Sequence, residues 1–104
     1  MSALLKYFDR IVVISLPDRA DRRERLLANL SKTGLATADD ISWVDAMDGH
    51  KENRPDWWQS GAGAWGCRFS QLRAIEGAHR DRQNNVFIIE DDAIFHPRTA
   101  EWLD

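Results

Sequence analysis

The sequence predicts an α/β domain built on a mostly parallel sheet with flanking helices. Two runs carry this first. Ile11 to Leu16, IVVISL, and Val86 to Ile89, VFII, are apolar but for Ser15 and rich in β-branched residues. That is the pattern of strands covered on both faces, as in a parallel sheet. Second, segments with helical spacing lie between the strand-like runs. Strands alternating with helices imply parallel pairing through right-handed crossovers. Third, 104 residues with 43% hydrophobic content suit one small domain, residues 1–104, with enough apolar mass for a core.

Each element has a local cause. Pro17 ends the first strand, because it has no N–H for a sheet ladder. Asp21-Arg22-Arg23-Glu24 then reads as a helix start, with Asp21 as N-cap and Glu24 three residues on. Leu26, Leu27 and Leu30 form the stripe of that helix, and Gly34 is its stop. Ile41 to Ala46 is a weaker strand, nearer an edge, closed by the turn residues Asp48-Gly49. Lys51 to Gly63 is polar, holds Pro55 and two glycines, and reads as a loop. Trp65 to about His79 is expected to be a helix, with Phe69, Leu72 and Ile75 at three-residue steps and Ala74 and Ala78 beside them. Asn84-Asn85 marks a turn before the third strand. Pro97 to Trp102 begins a last helix, with Pro97 in its first turn.

Composition excludes several classes. With 14 basic and 17 acidic residues, the net charge of −3 argues against a nucleic-acid partner. Cys67 is the one cysteine, so there is no intrachain disulfide and no cysteine-rich zinc site. It fits a reducing compartment, and a cytoplasmic location is expected. The N-terminus lacks the basic and apolar regions of a secretory signal. No apolar run reaches the roughly 20 residues of a membrane helix.

In an open parallel sheet, ligands bind outside the carboxyl ends of the strands. Pro17 to Arg22, Asp45 to Gly49 and Glu90 to Asp92 are therefore expected to meet on one edge. Glu90-Asp91-Asp92 places three acids at a strand end, with Glu90 and Asp92 on one side and Asp91 on the other. Hard oxygen ligands there suit Mg²⁺ or Mn²⁺, which also bind phosphates. The plainer alternative is a solvated acidic turn. His96 could join a site, though a lone histidine more often stays on the surface. Arg19, Arg22 and Arg23 sit in a first helical turn, where an anion would relieve them. Pairing with Asp18, Asp21 and Glu24 on a solvated face is the simpler reading.

Gly61 to Gly66, GAGAWG, matches G-x-G-x-x-G letter for letter. A dinucleotide site needs a strand before that motif, and HKENRPDWWQS is a poor strand. The glycines fit a flexible loop and close helix packing better. Trp57, Trp58 and Trp65 could stack on a base or sugar, but packing is the favoured role. Cys67 reads as a buried structural thiol.

Four segments together resemble glycosyltransferase family 25, which includes bacterial lipopolysaccharide and lipooligosaccharide glycosyltransferases and is related to the collagen galactosyltransferases. IVVISLPDRADRRERL resembles the family's opening strand and R-x-D-R-R segment. WVDAMDG resembles its A-x-D-G element, GAWGCRFSQLRAI its G-E-x-G-C-x-x-S-H helix start, and VFIIEDDAIF its strand ending in E-D-D. The resemblance implies a GT-A-like, Rossmann-like fold with a nucleotide-sugar site on the carboxyl edge. It implies Mn²⁺ or Mg²⁺ as cofactor, a UDP-sugar as the expected donor, and a lipopolysaccharide-type or other glycan as acceptor. By the same resemblance Asp92 is the main metal ligand, assisted by Glu90. Glu90 or Asp91 contacts the ribose, Arg19 and Arg22 border the nucleotide, and Asp48 and Gly49 line the edge.

Two positions depart from the family pattern. Ser15-Leu16 stands where the family has Asn-Leu, and Ser70-Gln71 where it has Ser-His. Glutamine cannot take up a proton as histidine can. The family extends well beyond E-D-D, and its reaction needs a base to deprotonate the acceptor hydroxyl. The chain is thus expected to be the N-terminal, donor-binding part, to lack transfer activity alone, and to self-associate through apolar surface that the rest would cover. The alternatives are a truncated, non-catalytic nucleotide-sugar-binding or interaction module and, less favoured, a dinucleotide-binding domain.

Overall fold

The strand β1 (Arg10–Ser15) lies at the centre of a three-stranded sheet, between β2 (Ile41–Asp45) and β3 (Val86–Glu90). Both pairings are parallel, with Ser15 beside Asp45 and Ile14 beside Glu90. The fold is α/β with a Rossmann-like arrangement of sheet and helices. The computed structural model describes residues 2–51 and 53–103. The helices are α1 (Ala20–Lys32), α2 (Gly61–Arg80) and the short α3 (Thr99–Leu103). Three single 3₁₀ turns, Leu4–Lys6, Ala38–Asp40 and Gly49–Lys51, join them.

Strand alternation sorts the core into two layers. Ile11, Val13 and Ile89 turn toward α1 and pack with Leu26, Leu30 and Leu35. Val12 and Ile14 turn the other way, toward Ala74 of α2, with Val44 and Ile88 beside them. β1 is buried along almost its whole length, as the apolar run Ile11 to Ile14 requires. β2 is an edge strand, as its weaker pattern indicates, and β3 forms the other edge of the described sheet.

Two helix boundaries have clear local chemistry. α1 ends as expected, with Gly34 at φ 72°. The Leu35 N–H bonds the Leu30 carbonyl at 3.0 Å and the Gly34 N–H bonds that of Ser31 at 3.1 Å, a Schellman closure. Leu30 and Leu35 meet in the core beneath it. The start of α1 differs from expectation. Its N-cap is Arg19, without a side-chain cap, and Asp21 falls inside the first turn. The chain leaves β1 through a tight turn closed by Arg19 N–H to Leu16 O at 3.1 Å, so the helix is under way before Asp21. The Asp21 carboxylate instead takes two bonds from the Arg19 guanidinium.

α2 begins at Gly61, so the expected loop is shorter and the glycine motif is helical. Its buried face keeps the expected Ala74 and Ala78 but not Leu72 and Ile75. Ala62, Trp65, Gly66, Ser70, Ala74 and Ala78 are buried, while Leu72 and Ile75 are exposed. The small residues at four-residue steps let the helix backbone approach its neighbours. A Cβ on Gly66 would overlap the Met47 carbonyl, and one on Gly49 would overlap that of Ala62. That closeness turns the bulky side chains outward. The last helix starts at Thr99 rather than Pro97, after His96 O accepts the Thr99 hydroxyl at 2.7 Å. None of the described helices is long and apolar enough to cross a membrane.

Candidate functional site

The three segments expected at the carboxyl edge do converge. A cleft of about 440 Å³ opens there, lined by Ser15 and Leu16 after β1, Ala46 to His50 after β2, and Glu90, Asp91 and Asp92 after β3. Arg22 of α1 and Gly63, Cys67 and Ser70 of α2 complete the wall. The crossovers create this meeting, because each parallel strand delivers its chain to the same edge.

The three acids have different surroundings. Glu90 lies on the α2 side and is exposed, and its Oε1 accepts the Cys67 thiol at 3.0 Å. Asp91 lies on the α1 side and is only 9% exposed. Its Oδ2 accepts the Ser15 hydroxyl at 2.8 Å, and its Oδ1 faces Arg22 Nη1 at 3.5 Å. Asp92 is exposed in the cleft. The alternation predicted for Glu90 and Asp91 is present.

A second layer ties the strand ends together. Arg23 donates from Nε to the Ser15 hydroxyl at 3.1 Å, and from Nη2 to the Ser15 carbonyl at 3.3 Å and to Asp45 at 3.2 Å. Its guanidinium also lies over Trp43 of β2, 4.8 Å from the ring centre. Beyond the acids, Asn29 of α1 bonds both the N–H and the carbonyl of Phe95, which pins the outgoing chain to the helix. On the other wall, the Ser70 hydroxyl donates to Gly66 O at 2.8 Å and accepts the Met47 N–H at 2.9 Å. Asp48 Oδ1 accepts the His50 N–H at 2.9 Å and closes the turn around Gly49.

Of the residues singled out in the sequence, Arg22, Asp48, Gly49, Glu90, Asp91 and Asp92 share the cleft. Arg19 does not line it and is held in its ion pair with Asp21 at 3.0 Å. That bond holds the Asp21 carboxyl down to about 2. His96 also stands apart, stacked on Trp102 and accepting the Arg98 N–H. The tryptophans pack edge-to-face around Trp65 and Phe69, with Trp57 69% exposed, and none lines the cleft.

Cys67 corrects the sequence reading. It is exposed on the cleft wall, not a buried structural thiol. Its bond to Glu90, and after that its partial burial, push the thiol pKa up, which keeps it protonated. Ser15 and Ser70 do not stand out in the sequence as site residues, and Arg23 stands out only as one of a run of helix-start arginines. Their roles depend on partners far along the chain, and only the departures at Ser15 and Gln71 pointed near them.

Comparison with protein-family models, curated proteins and solved structures gave no match. The reading of the cleft thus rests on its own chemistry and on the four sequence segments. The glycine motif gains nothing from the fold. Gly61, Gly63 and Gly66 lie inside α2, and no described residue of the preceding segment forms a strand.

A divalent cation can be tested against these donors. Among the described residues, no group of three or more His, Cys, Asp or Glu side chains is placed to hold a metal ion. A Mg²⁺-type ion on a diphosphate needs less, since one or two carboxylates suffice when phosphate oxygens and water fill the other positions. Glu90 and Asp92, both exposed and both lining the cleft, match that smaller demand.

Proposed function

We propose that this chain is the donor-binding part of a metal-dependent glycosyltransferase of family 25 type, taking a nucleotide sugar such as a UDP-sugar. The observation that carries the reading is the cleft at the carboxyl edge, where an arginine and two exposed carboxylates face one volume. Glu90 and Asp92 would hold Mn²⁺ or Mg²⁺. Arg22, with donors and no acceptors, would contact the diphosphate. Gly63 has open space where a side chain would stand, so a ligand can approach the cleft wall's backbone there. The bound cation would supply charge neutralisation for a leaving nucleoside diphosphate. The acceptor is a glycan of lipopolysaccharide or related type, and the setting is the cytoplasm.

Calorimetric titration of UDP-sugars, with and without Mn²⁺, tests this on the wild type and Asp92→Asn. Wild-type binding should require Mn²⁺, and Asp92→Asn should lose most of that dependence while folding as well or better without metal. Better folding follows because removing one of several clustered carboxylates relieves repulsion. Equal metal-dependent binding by both proteins would remove Asp92 from the site. No binding by the wild type would defeat the donor reading.

A further inference from the structure

We propose that Asp91 is a positioning residue and not a ligand. It anchors a run of side chains, Arg23, Ser15, Asp91 and Arg22, that fixes where the Arg22 guanidinium stands in the cleft. The run itself rests on geometry, and its consequence for binding rests on the donor reading above.

The chemistry of the donors sets its direction. Arginine has only N–H donors, so Arg23 Nε must use a lone pair of the Ser15 hydroxyl. The hydroxyl has a single proton, and Asp91 Oδ2 at 2.8 Å is its shortest acceptor. Ser15 is 1% exposed, so neither bond is readily exchanged for water. One oxygen of Asp91 is therefore committed from behind. The other faces Arg22, whose side chain is 40% exposed. A contact of 3.5 Å is long for such a pair and leaves the other guanidinium N–H groups for a ligand. A cation on Asp91 would need the oxygens that Ser15 and Arg22 face, and it would stand beside a guanidinium. Glu90 gives only Oε1, to the Cys67 thiol, and both Glu90 and Asp92 are exposed.

Two measurements test this. In ligand-free protein, the Arg22 Nε–Hε resonance is followed in Asp91→Asn, Ser15→Ala and Asp92→Asn. It should move in the first two and stay in place in the third. In parallel, UDP is titrated at several Mn²⁺ concentrations. Asp91→Asn and Ser15→Ala should each weaken UDP binding about tenfold, the low end for a residue that acts through a ligand-binding neighbour. They should leave the half-saturating Mn²⁺ concentration unchanged, whereas Asp92→Asn should raise it. A Mn²⁺ requirement altered as much by Asp91→Asn as by Asp92→Asn overturns the proposal. So does an Arg22 resonance indifferent to both Asp91→Asn and Ser15→Ala. If Ser15→Ala does not fold, Ser15→Cys with Asp91→Asn carries the comparison. If wild-type protein binds no UDP, the donor reading fails, and the resonances still decide for or against the positioning run.

Discussion

Replacing Gly66 by alanine should destabilise the protein even though the change favours a helix. Gly66 is buried in the second turn of α2, facing the chain that leaves β2. A methyl group there would overlap the Met47 carbonyl oxygen and lie 2.7 Å from the Gly49 nitrogen and 3.2 Å from the Gly49 Cα. All three are backbone atoms, so no flexible side chain can move aside. The gain in helix propensity is about 1 kcal/mol. Overpacking by one methyl costs about 1–3 kcal/mol. Separation of the two segments would also stretch the bond from Met47 N–H to Ser70, worth about 1 kcal/mol. The net expectation is a loss of about 1–3 kcal/mol, or roughly 4–8 °C in Tm for each kcal/mol in a domain of this size. Gly77→Ala is the control. There a methyl would meet only Arg80 Nη2 at 3.7 Å, an ordinary contact, so stability should rise by about 0.5–1 kcal/mol. Urea unfolding followed by circular dichroism measures both, with unchanged m values marking true stability changes. A Gly66→Ala protein as stable as wild type would refute the close approach of α2 to the Met47–Gly49 segment.

Cys67 should react with iodoacetamide more slowly than a free thiol at about pH 8, because its bond to Glu90 and its partial burial raise the thiol pKa. Glu90→Gln should speed the reaction, and a rate unchanged or lower in that variant would count against the bond. The Asp21 carboxyl titrates at about 2 in the folded chain, below its ordinary 3.8, so its contribution is present above the ordinary value and lost as pH falls toward the folded one. Wild type should therefore exceed Asp21→Asn in melting midpoint at about pH 5 and converge with it near pH 2, and a gap constant across that range would sink the argument. Ile75, 52% exposed, should accept lysine within about 0.5 kcal/mol, whereas leucine at the buried Ala74 should cost about 1–3 kcal/mol. Chemical denaturation of the two variants checks which face of α2 is inside, and the reverse ranking would restore the face suggested by residue spacing.

The identity and order of the elements follow from local chemistry that the sequence carries by itself. Four consecutive apolar residues, Ile11 to Ile14, make the heart of β1, Pro17 stops it, and Gly34 supplies the left-handed residue that closes α1. Parallel pairing then follows from the alternation of strands and helices, and with it the convergence of Arg22, Asp48 and Glu90 to Asp92 on one edge. Tertiary structure decided the rest. Spacing within α2 favoured a face bearing Leu72 and Ile75 beside Ala74 and Ala78, but the approach of Met47 and Gly49 turned inward the side with Gly66 and Ser70, which keeps Ala74 and Ala78 and leaves Leu72 and Ile75 exposed. A periodicity sums side-chain hydrophobicity along one helix and carries no term for how closely another backbone comes. Cys67 reached the cleft wall by that same rotation. Ser15 and Asp91 are 76 positions apart, and Arg23 and Asp45 are 22 apart, so their bonds form only once the strands lie side by side. Three adjacent acids look equivalent in sequence. They become one buried anchor and two exposed carboxylates because the pleat turns Asp91 toward Ser15 and Arg22 and turns Glu90 toward α2.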